Sequence, residues 1–509
     1  MRSLQAIILA AGEGTRMKSD LPKVLHPICG RPMLSYALDL AAAAGIKQPI
    51  VILGKGAEQI KPTLPKEAKP VLQVQRRGTG DAVLAAKKLL TGTGAVLILY
   101  ADTPLLRRTT VQKLIEAHFK TSATCTLLTA HLADPSGYGR IIRNENGLVV
   151  RIAEEPEASA AERAIREINV GPLVCSIPAL LAALALGRPS DAKHELYLTE
   201  IVAHIARQEN AKIQVSRIEE ISEALGINSR AELSRAIGVI RQRIIEAHLH
   251  NGVTIEDPRT TFIDHGVTIG ADTVIRPGTV LETNVAIGKR CTIGPFAHLR
   301  PGVTVGEETK IGNFAELVRT KVGPRVRIGH LSYLGDAVIE EGVNIGAGAV
   351  TANYDGAQKH PTHIGKGAFI GSDTVLIAPV KIGPGATTGA GCVVTKEHHV
   401  PAKGIVAGVP ARPLGATDGG KPAHELHPAA LPAAKIDGHH KPTLAQRRPA
   451  PSAAARRAPA KAVRPKARVT PARKPARPAR ATPRVKTAKL ARAQSAKRPA
   501  RHPQARAKR

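Results

Sequence analysis

From Ile263 an aliphatic residue returns at every sixth position: Ile263, Ile269, Ile275, Leu281, Ile287, Ile293, Leu299, Val305, Ile311 and Leu317. A period of six matches neither the 3.6-residue turn of a helix nor the two-residue alternation of a lone strand. It matches short strands joined by tight turns, three hexapeptides to a triangular coil, each coil burying its aliphatic residues against its neighbours. Glycine often follows the aliphatic residue, as at Gly270, Gly288, Gly294 and Gly312. The frame slips, resumes through Val322, Ile328 and Leu334, and returns from Ile364 through Ile370, Leu376 and Ile382. Residues 253–414 are therefore expected to wind a left-handed parallel β-helix.

Residues 1–228 follow a different rule. Short apolar runs, predicted as strands at Ala6–Leu9, Ile50–Leu53, Val71–Val74, Val96–Tyr100 and Thr124–Ala130, alternate with helical patterns at Met33–Ala44, Asp81–Leu90 and Thr110–Phe119. Such alternation predicts a Rossmann-like α/β domain built on a mostly parallel sheet. Ligands on these sheets sit beyond the carboxyl ends of the strands, so the loops after Leu9, Val74 and Tyr100 are where chemistry is expected. Leu233, Ile237, Ile240 and Ile244 recur at helical spacing, making residues 229–252 a linker helix closed by Gly252. Aromatic residues make up only 2% of the chain and Trp is absent, so both cores must be built from Ile, Val, Leu and Ala.

The net charge of +32 is unevenly spread. Residues 415–509 hold 25 Lys and Arg against Asp418, Glu425 and Asp437, a net of +22, which leaves +10 for the first 414 residues. This Ala/Pro/Lys/Arg-rich tail cannot bury enough apolar area to offset its ordering entropy and is expected to be disordered. Its cations suit nonspecific binding of nucleic acid or another acidic surface, although a merely solubilising extension reads equally well. No run of about 18 apolar residues predicts a membrane span, and the first apolar run reads as a strand, not a signal peptide. Cys29, Cys125, Cys175, Cys291 and Cys392 are scattered without CxxC spacing, which argues against a zinc site or a disulfide framework and for a reducing cytoplasm.

The first loop runs Leu9-Ala10-Ala11-Gly12-Glu13-Gly14-Thr15-Arg16-Met17, followed by Pro22-Lys23. Its glycines let backbone approach a phosphate, and Arg16 and Lys23 supply the charge that a departing pyrophosphate needs. A G-x-G alone would serve equally as a strand-end turn; the whole string with its Pro-Lys makes a phosphate site. LAAGEGTRM with SDLPKVL resembles the signature of sugar-phosphate nucleotidyltransferases. Joined to hexapeptide repeats, it resembles the family of bifunctional N-acetylglucosamine-1-phosphate uridylyltransferases/glucosamine-1-phosphate acetyltransferases, over about residues 4–410.

The resemblance implies two activities. Glucosamine 1-phosphate is acetylated from acetyl-CoA, and uridylate then passes from UTP to the product with release of pyrophosphate, supplying UDP-N-acetylglucosamine to the cell envelope. It also implies roles for individual residues. Leu9, Ala10, Ala11, Gly12, Gln73, Gly78 and Thr79, with Tyr100 and Ala101 of LYADTPL, match nucleotide-contacting positions, and Lys23 a phosphate-contacting one. Gly139, Glu154 and Asn169 match sugar-contacting positions, and Asp102 and Asn228 match ligands of Mg²⁺. In the repeat half, His330 of GHLSYLGD matches the general base, a role imidazole suits because it titrates near neutrality. Arg300, Tyr333, Asn344, Ala347, Asn353, Tyr354, Ser372 and Ala390 match positions for sugar phosphate and acetyl-CoA, and Lys359 lies in a loop that interrupts the repeat. Such β-helices imply a homotrimer with active sites between subunits.

The chain departs from the family pattern in several places. Ala101 stands for a glycine, and GTGHA becomes Gly78-Thr79-Gly80-Asp81-Ala82 behind Arg76-Arg77. Val318 stands for a substrate-binding lysine with Arg319 beside it, and Gly408 for a coenzyme-binding arginine that Arg412 would have to replace. The span from Asn228 to Arg300 is shorter than the family's by about two coils. These departures keep open a narrower reading, a uridylyltransferase whose β-helix serves only trimerisation.

Overall fold

The computed structural model describes residues 3–75, 77–187 and 195–414. Arg76 and the basic tail lie outside the described residues. In chain order the first half comprises β1 (Leu4–Ala10), α1 (Met33–Ala43), β2 (Ile50–Leu53), β3 (Lys69–Leu72), α2 (Thr79–Ala85), β4 (Ala95–Tyr100), α3 (Arg108–Lys120) and β5 (Cys125–His131). It continues with β6 (Arg140–Arg143), β7 (Val149–Ala153), β8 (Glu167–Ser176), α4 (Ile177–Leu186), α5 (Glu200–Ala206), β9 (Ile213–Arg217) and the long α6 (Arg230–His250).

These nine strands form one sheet, seven of them in the order β9-β5-β8-β4-β1-β2-β3, with β6 pairing off this path to β8 and β7 to β6. The pairs β1–β2, β1–β4, β2–β3 and β9–β5 are parallel, whereas β8 runs antiparallel to β4 and β5. Alternation along the strands feeds two core layers. Ile8, Ala10, Leu97 and Leu99 pack on one face with α1, and Ile7, Leu9, Val96 and Ile98 pack on the other with α4 and α5. The third predicted strand lies two residues earlier than its apolar run suggests, because Val74 projects into solvent. The predicted helix at 81–90 begins at Thr79 and breaks at Ala86 into a 3₁₀ turn, Lys87–Leu89.

The prism behaves as its period requires. Strands two to four residues long build three sheets in which each strand pairs in parallel with the strand one coil on, as Ile275 with Ile293, Leu281 with Leu299 and Ile287 with Val305, until the closing antiparallel pair of Ile405–Ala407 with Arg412–Pro413. The aliphatic residues form one continuous core from Ile245 to Ala411. Helix α6 joins the two halves. Leu233, Ala236 and Ile240 pack with Met17, Ile28, Met33, Leu105 and Ile227, while Ile245 enters the prism core. A second contact comes from a small hairpin, Pro27–Ile28 with Arg31–Pro32, where the His265 amide donates to the Cys29 carbonyl (3.0 Å) and Arg31 meets the His265 ring. Burial and the neighbouring Asp264 push the Cys29 thiol up to about 12.

Candidate functional site

Strands β1, β3 and β4 end around one cavity of about 490 Å³, lined by Leu9, Ala10, Ala11, Gly12, Lys23, Gln73, Gly78, Thr79, Tyr100 and Asp102. This is the carboxyl edge of the sheet, where ligands are expected. Gly14 takes φ +64° to open a 3₁₀ turn, Thr15–Met17, and a Cβ there would meet the Lys23 Cβ at 2.7 Å, so the loop closes directly over Lys23. Gly78 has φ +102°, and a side chain would strike the Leu196 carbonyl oxygen at 2.4 Å. The Gly80 amide donates to that carbonyl (2.8 Å), which holds the start of α2 beside the cavity. The Gln73 amide group donates to the Gly78 carbonyl (3.1 Å) and to Asp81 (2.9 Å). Asp81, where the family pattern has histidine, thus orients a predicted nucleotide contact.

Lys23 is the centre of the polar arrangement. Its ammonium, in a side chain only 7% exposed, donates to Asp102 Oδ2 (2.6 Å) and to Asn228 Oδ1 (3.1 Å). The two predicted metal ligands therefore converge on one cation. An oxygen donor pair of this kind suits Mg²⁺, which takes few protein ligands and completes its shell with phosphate and water. Among the described residues no three His, Cys, Asp or Glu side chains gather as a metal-ligating group, so the fit rests on the Asp102–Asn228 pair.

Asn228 is fixed by a capping box at the start of α6. Glu232 accepts from the amides of Asn228 (2.7 Å) and Ser229 (2.7 Å), and the Glu232 amide donates back to the Ser229 hydroxyl. Burial opposes ionisation of Glu232, but these donors outweigh it and hold the carboxyl below its ordinary value. The Ser-x-x-Glu spacing carried this signal in the sequence.

The sugar-contacting candidates cluster separately. The Asn169 amide donates to the Gly139 carbonyl (2.8 Å), and Glu154 lies 3.5 Å from where a Gly139 Cβ would stand. Thr199 donates to Glu154 (2.7 Å). Burial, then the charges of Glu154 and Asp102, raise the Tyr100 phenol, which links this cluster to the cavity. Ala101 is packed in the core beneath Tyr100 and does not line the cavity, and neither does the exposed Arg16. The sequence did not single out Glu195 and Tyr197, which line the cavity from a distant segment.

On the prism, register gathers the second set. Ile311, Ile328, Ile345, Ile370 and Thr388 stack on one face, so the residues two positions on, Asn313, His330, Ala347, Ser372 and Ala390, share a corner. Asn344 lies on the same face, beside Arg327 and Phe369. His330 is exposed, with Nδ1 2.6 Å from Asn313 Oδ1. Phe296, Phe314 and Leu331 are exposed along this corner, and the two phenyl rings stack at 5.3 Å. Arg300, Tyr333, Asn353 and Tyr354 belong to the next face. There Arg300 donates to Glu316, and Arg319 makes a bidentate pair with Asp336, which also accepts from Asn353 (2.5 Å). Val318 is buried, so only Arg319 is presented to solvent at this point. Tyr354 pairs with Lys359 across the interrupting loop.

Comparison with known proteins agrees with both halves. The signature of the MobA-like NTP transferase domain matches residues 6–168, and that of the bacterial transferase hexapeptide (six repeats) matches residues 284–319 and 361–396. Bifunctional protein GlmU of Caldanaerobacter subterraneus subsp. tengcongensis is 42% identical over 432 residues, covering 78% of this chain and 94% of that protein. Bifunctional protein GlmU of Pelotomaculum thermopropionicum is 45% identical, covering 74% and 90%. That of Mycolicibacterium vanbaalenii is 39% identical, covering 80% and 91%. With such identity along nearly the whole of each relative, the chain belongs to the family of bifunctional protein GlmU.

Proposed function

We propose that this chain makes UDP-N-acetylglucosamine in two steps, acetylating glucosamine 1-phosphate from acetyl-CoA and then transferring uridylate from UTP to N-acetylglucosamine 1-phosphate. The observation that carries the second step is the meeting of Lys23, Asp102 and Asn228 beneath the glycine loop of the cavity. Leu9 to Gly12, Gln73, Gly78 and Thr79 would hold the nucleotide, and Gly139, Glu154 and Asn169 the sugar. The sugar phosphate oxygen attacks the α-phosphorus and pyrophosphate leaves, with Lys23 countering the charge that develops. Mg²⁺, held by Asp102 and Asn228, would neutralise phosphate charge when bound.

For the first step, Asn313 presents an oxygen to Nδ1 of His330. Nδ1 then carries the ring proton, leaving Nε2 free to take one from the sugar amine as it attacks the thioester carbonyl. Arg300, Tyr333, Asn344, Ala347, Asn353, Tyr354, Ser372 and Ala390 would bind sugar phosphate and acetyl-CoA. These residues lie on two faces of one prism, which supports a homotrimer that completes the site between copies. The exposed Phe296–Phe314–Leu331 ladder beside His330 supports the same assembly. We assign residues 1–228 to uridylyl transfer, 229–252 to the linker helix, 253–414 to acetyl transfer and 415–509 to the basic tail. Among the described residues no helix is long and apolar enough to cross a membrane.

The deciding experiment incubates purified protein with UTP, Mg²⁺ and a panel of sugar 1-phosphates, following pyrophosphate, and separately follows thiol release from acetyl-CoA with glucosamine 1-phosphate. Pyrophosphate release with N-acetylglucosamine 1-phosphate together with thiol release supports both activities. Pyrophosphate without thiol leaves a uridylyltransferase trimerised by its β-helix. For the tail, truncation after residue 414 should remove salt-sensitive DNA binding and spare both turnovers; binding that survives truncation assigns it elsewhere.

A further inference from the structure

The ammonium of Lys23 sits where a cation bound to Asp102 and Asn228 would have to sit. It contacts one oxygen of each, at 2.6 and 3.1 Å, from a side chain that is almost fully buried. Resting on the uridylyltransferase reading above, we propose that Lys23 and a divalent cation are alternative occupants of one seat, with Lys23 closing it whenever nucleotide is absent.

The geometry gives the exchange a direction. A dication entering between the two oxygens meets a fixed positive charge within contact distance, so the free metal is repelled from ligands it would otherwise bind. A nucleotide changes this balance, because its phosphates bring negative charge to both cations at once. Lys23 has somewhere to go: it lines the cavity, and its Nζ lies 3.8 Å from where a Cβ of Gly12 would stand, so the glycine leaves the ammonium open to the loop at which the phosphates are expected. Moving there trades the carboxylate for phosphate without leaving either charge unpaired. Metal and nucleotide therefore bind with positive coupling, and the empty enzyme keeps Asp102 neutralised without holding a metal.

The test measures Mn²⁺ bound to the full-length protein by electron paramagnetic resonance, with and without UTP and with no sugar phosphate present. Wild type without UTP should bind no more Mn²⁺ than Asp102→Ala. Lys23→Met without UTP should hold one Mn²⁺ per chain, roughly tenfold or more tighter than wild type, and lose it in the double variant Lys23→Met/Asp102→Ala. Lys23→Gln, the polar replacement, serves if the methionine variant does not fold. Asp102-dependent Mn²⁺ binding by wild type alone, as tight as in the Lys23 variants, overturns the proposal. So do folded Lys23 variants that bind no Mn²⁺ while wild type with UTP binds it through Asp102. If wild type with UTP shows no Asp102-dependent Mn²⁺ at all, the uridylyltransferase reading itself fails.

Discussion

Lys23 meets Asp102 across 79 positions of sequence and Asn228 across 205. Spacing says nothing at such separations; only the sheet's topology, which brings the ends of β1 and β4 side by side, makes them neighbours. Asp102→Ala should therefore cut Mg²⁺-dependent pyrophosphate release by roughly a hundredfold or more and leave thiol release unchanged, whereas His330→Ala should do the reverse. Loss of both activities from either folded variant would contradict the division of labour. A third expectation concerns His26, which is buried, has Nε2 without a partner, and faces Arg230 across Nδ1. Burial and then Arg230 lower its proton affinity from 6.5, so the folded state favours the neutral ring. Stability from this group is present above 6.5 and lost as pH falls through the lowered folded value. Thermal melts of wild type should decline over that acid window, and those of His26→Asn should decline less. A parallel decline in both would remove His26 as the cause. The residues that the sequence missed here, Glu195 and Tyr197, belong to no repeat and reach the cavity only because Leu196 bonds backbone to backbone with Arg77 and Gly80.

At the scale of elements, legibility follows periodicity. The hexapeptide frame was readable because position within the repeat maps directly onto position around the prism: Leu299, Leu317 and Leu334 are one column of a single core. Helix α6 was readable from the spacing of Leu233, Ile237, Ile240 and Ile244, whereas the Ser229–Glu232 box that fixes its start was not singled out. Strands β6, β7, β8 and β9 were not singled out: β8 and β9 take their places from partners far along the chain, β8 between β4 and β5 and β9 beside β5, whereas β6 and β7 form a hairpin with each other. Val318 shows the limit of motif transfer. The family pattern marks that position for a substrate-binding side chain, but in this chain it packs inward and Arg319 faces out to Asp336. The prism's one-dimensional packing carries its own prediction. Leu299 is fully buried between adjacent coils, so Leu299→Ala should cost about 2–5 kcal/mol, felt locally because each coil contacts only its neighbours. Denaturant unfolding should show a shifted prism transition with pyrophosphate release intact before it. An unshifted transition would mean that the coils do not share one core.

Across the whole molecule, the two halves are joined by one helix and one hairpin, and their candidate sites differ in exposure. The cavity around Lys23 is lined by residues of the first 228 positions. The corner carrying His330 is different: its side chain is exposed, and beside it stand two stacked phenyl rings and Leu331, all facing solvent. Apolar side chains stacked in this way along a rigid edge gain most by being covered, as a second copy of the prism could do. Phe314→Glu tests the link between assembly and chemistry. The position is exposed in the monomer and its left-handed backbone is already occupied by a side chain, so the substitution should leave each chain folded. It should bury a carboxylate in the subunit contact, shift the mass by light scattering from trimer to monomer, and abolish thiol release while pyrophosphate release continues. A variant that stays trimeric with full acetyl transfer would show that this corner faces solvent in the assembly and that His330 works without a neighbouring chain.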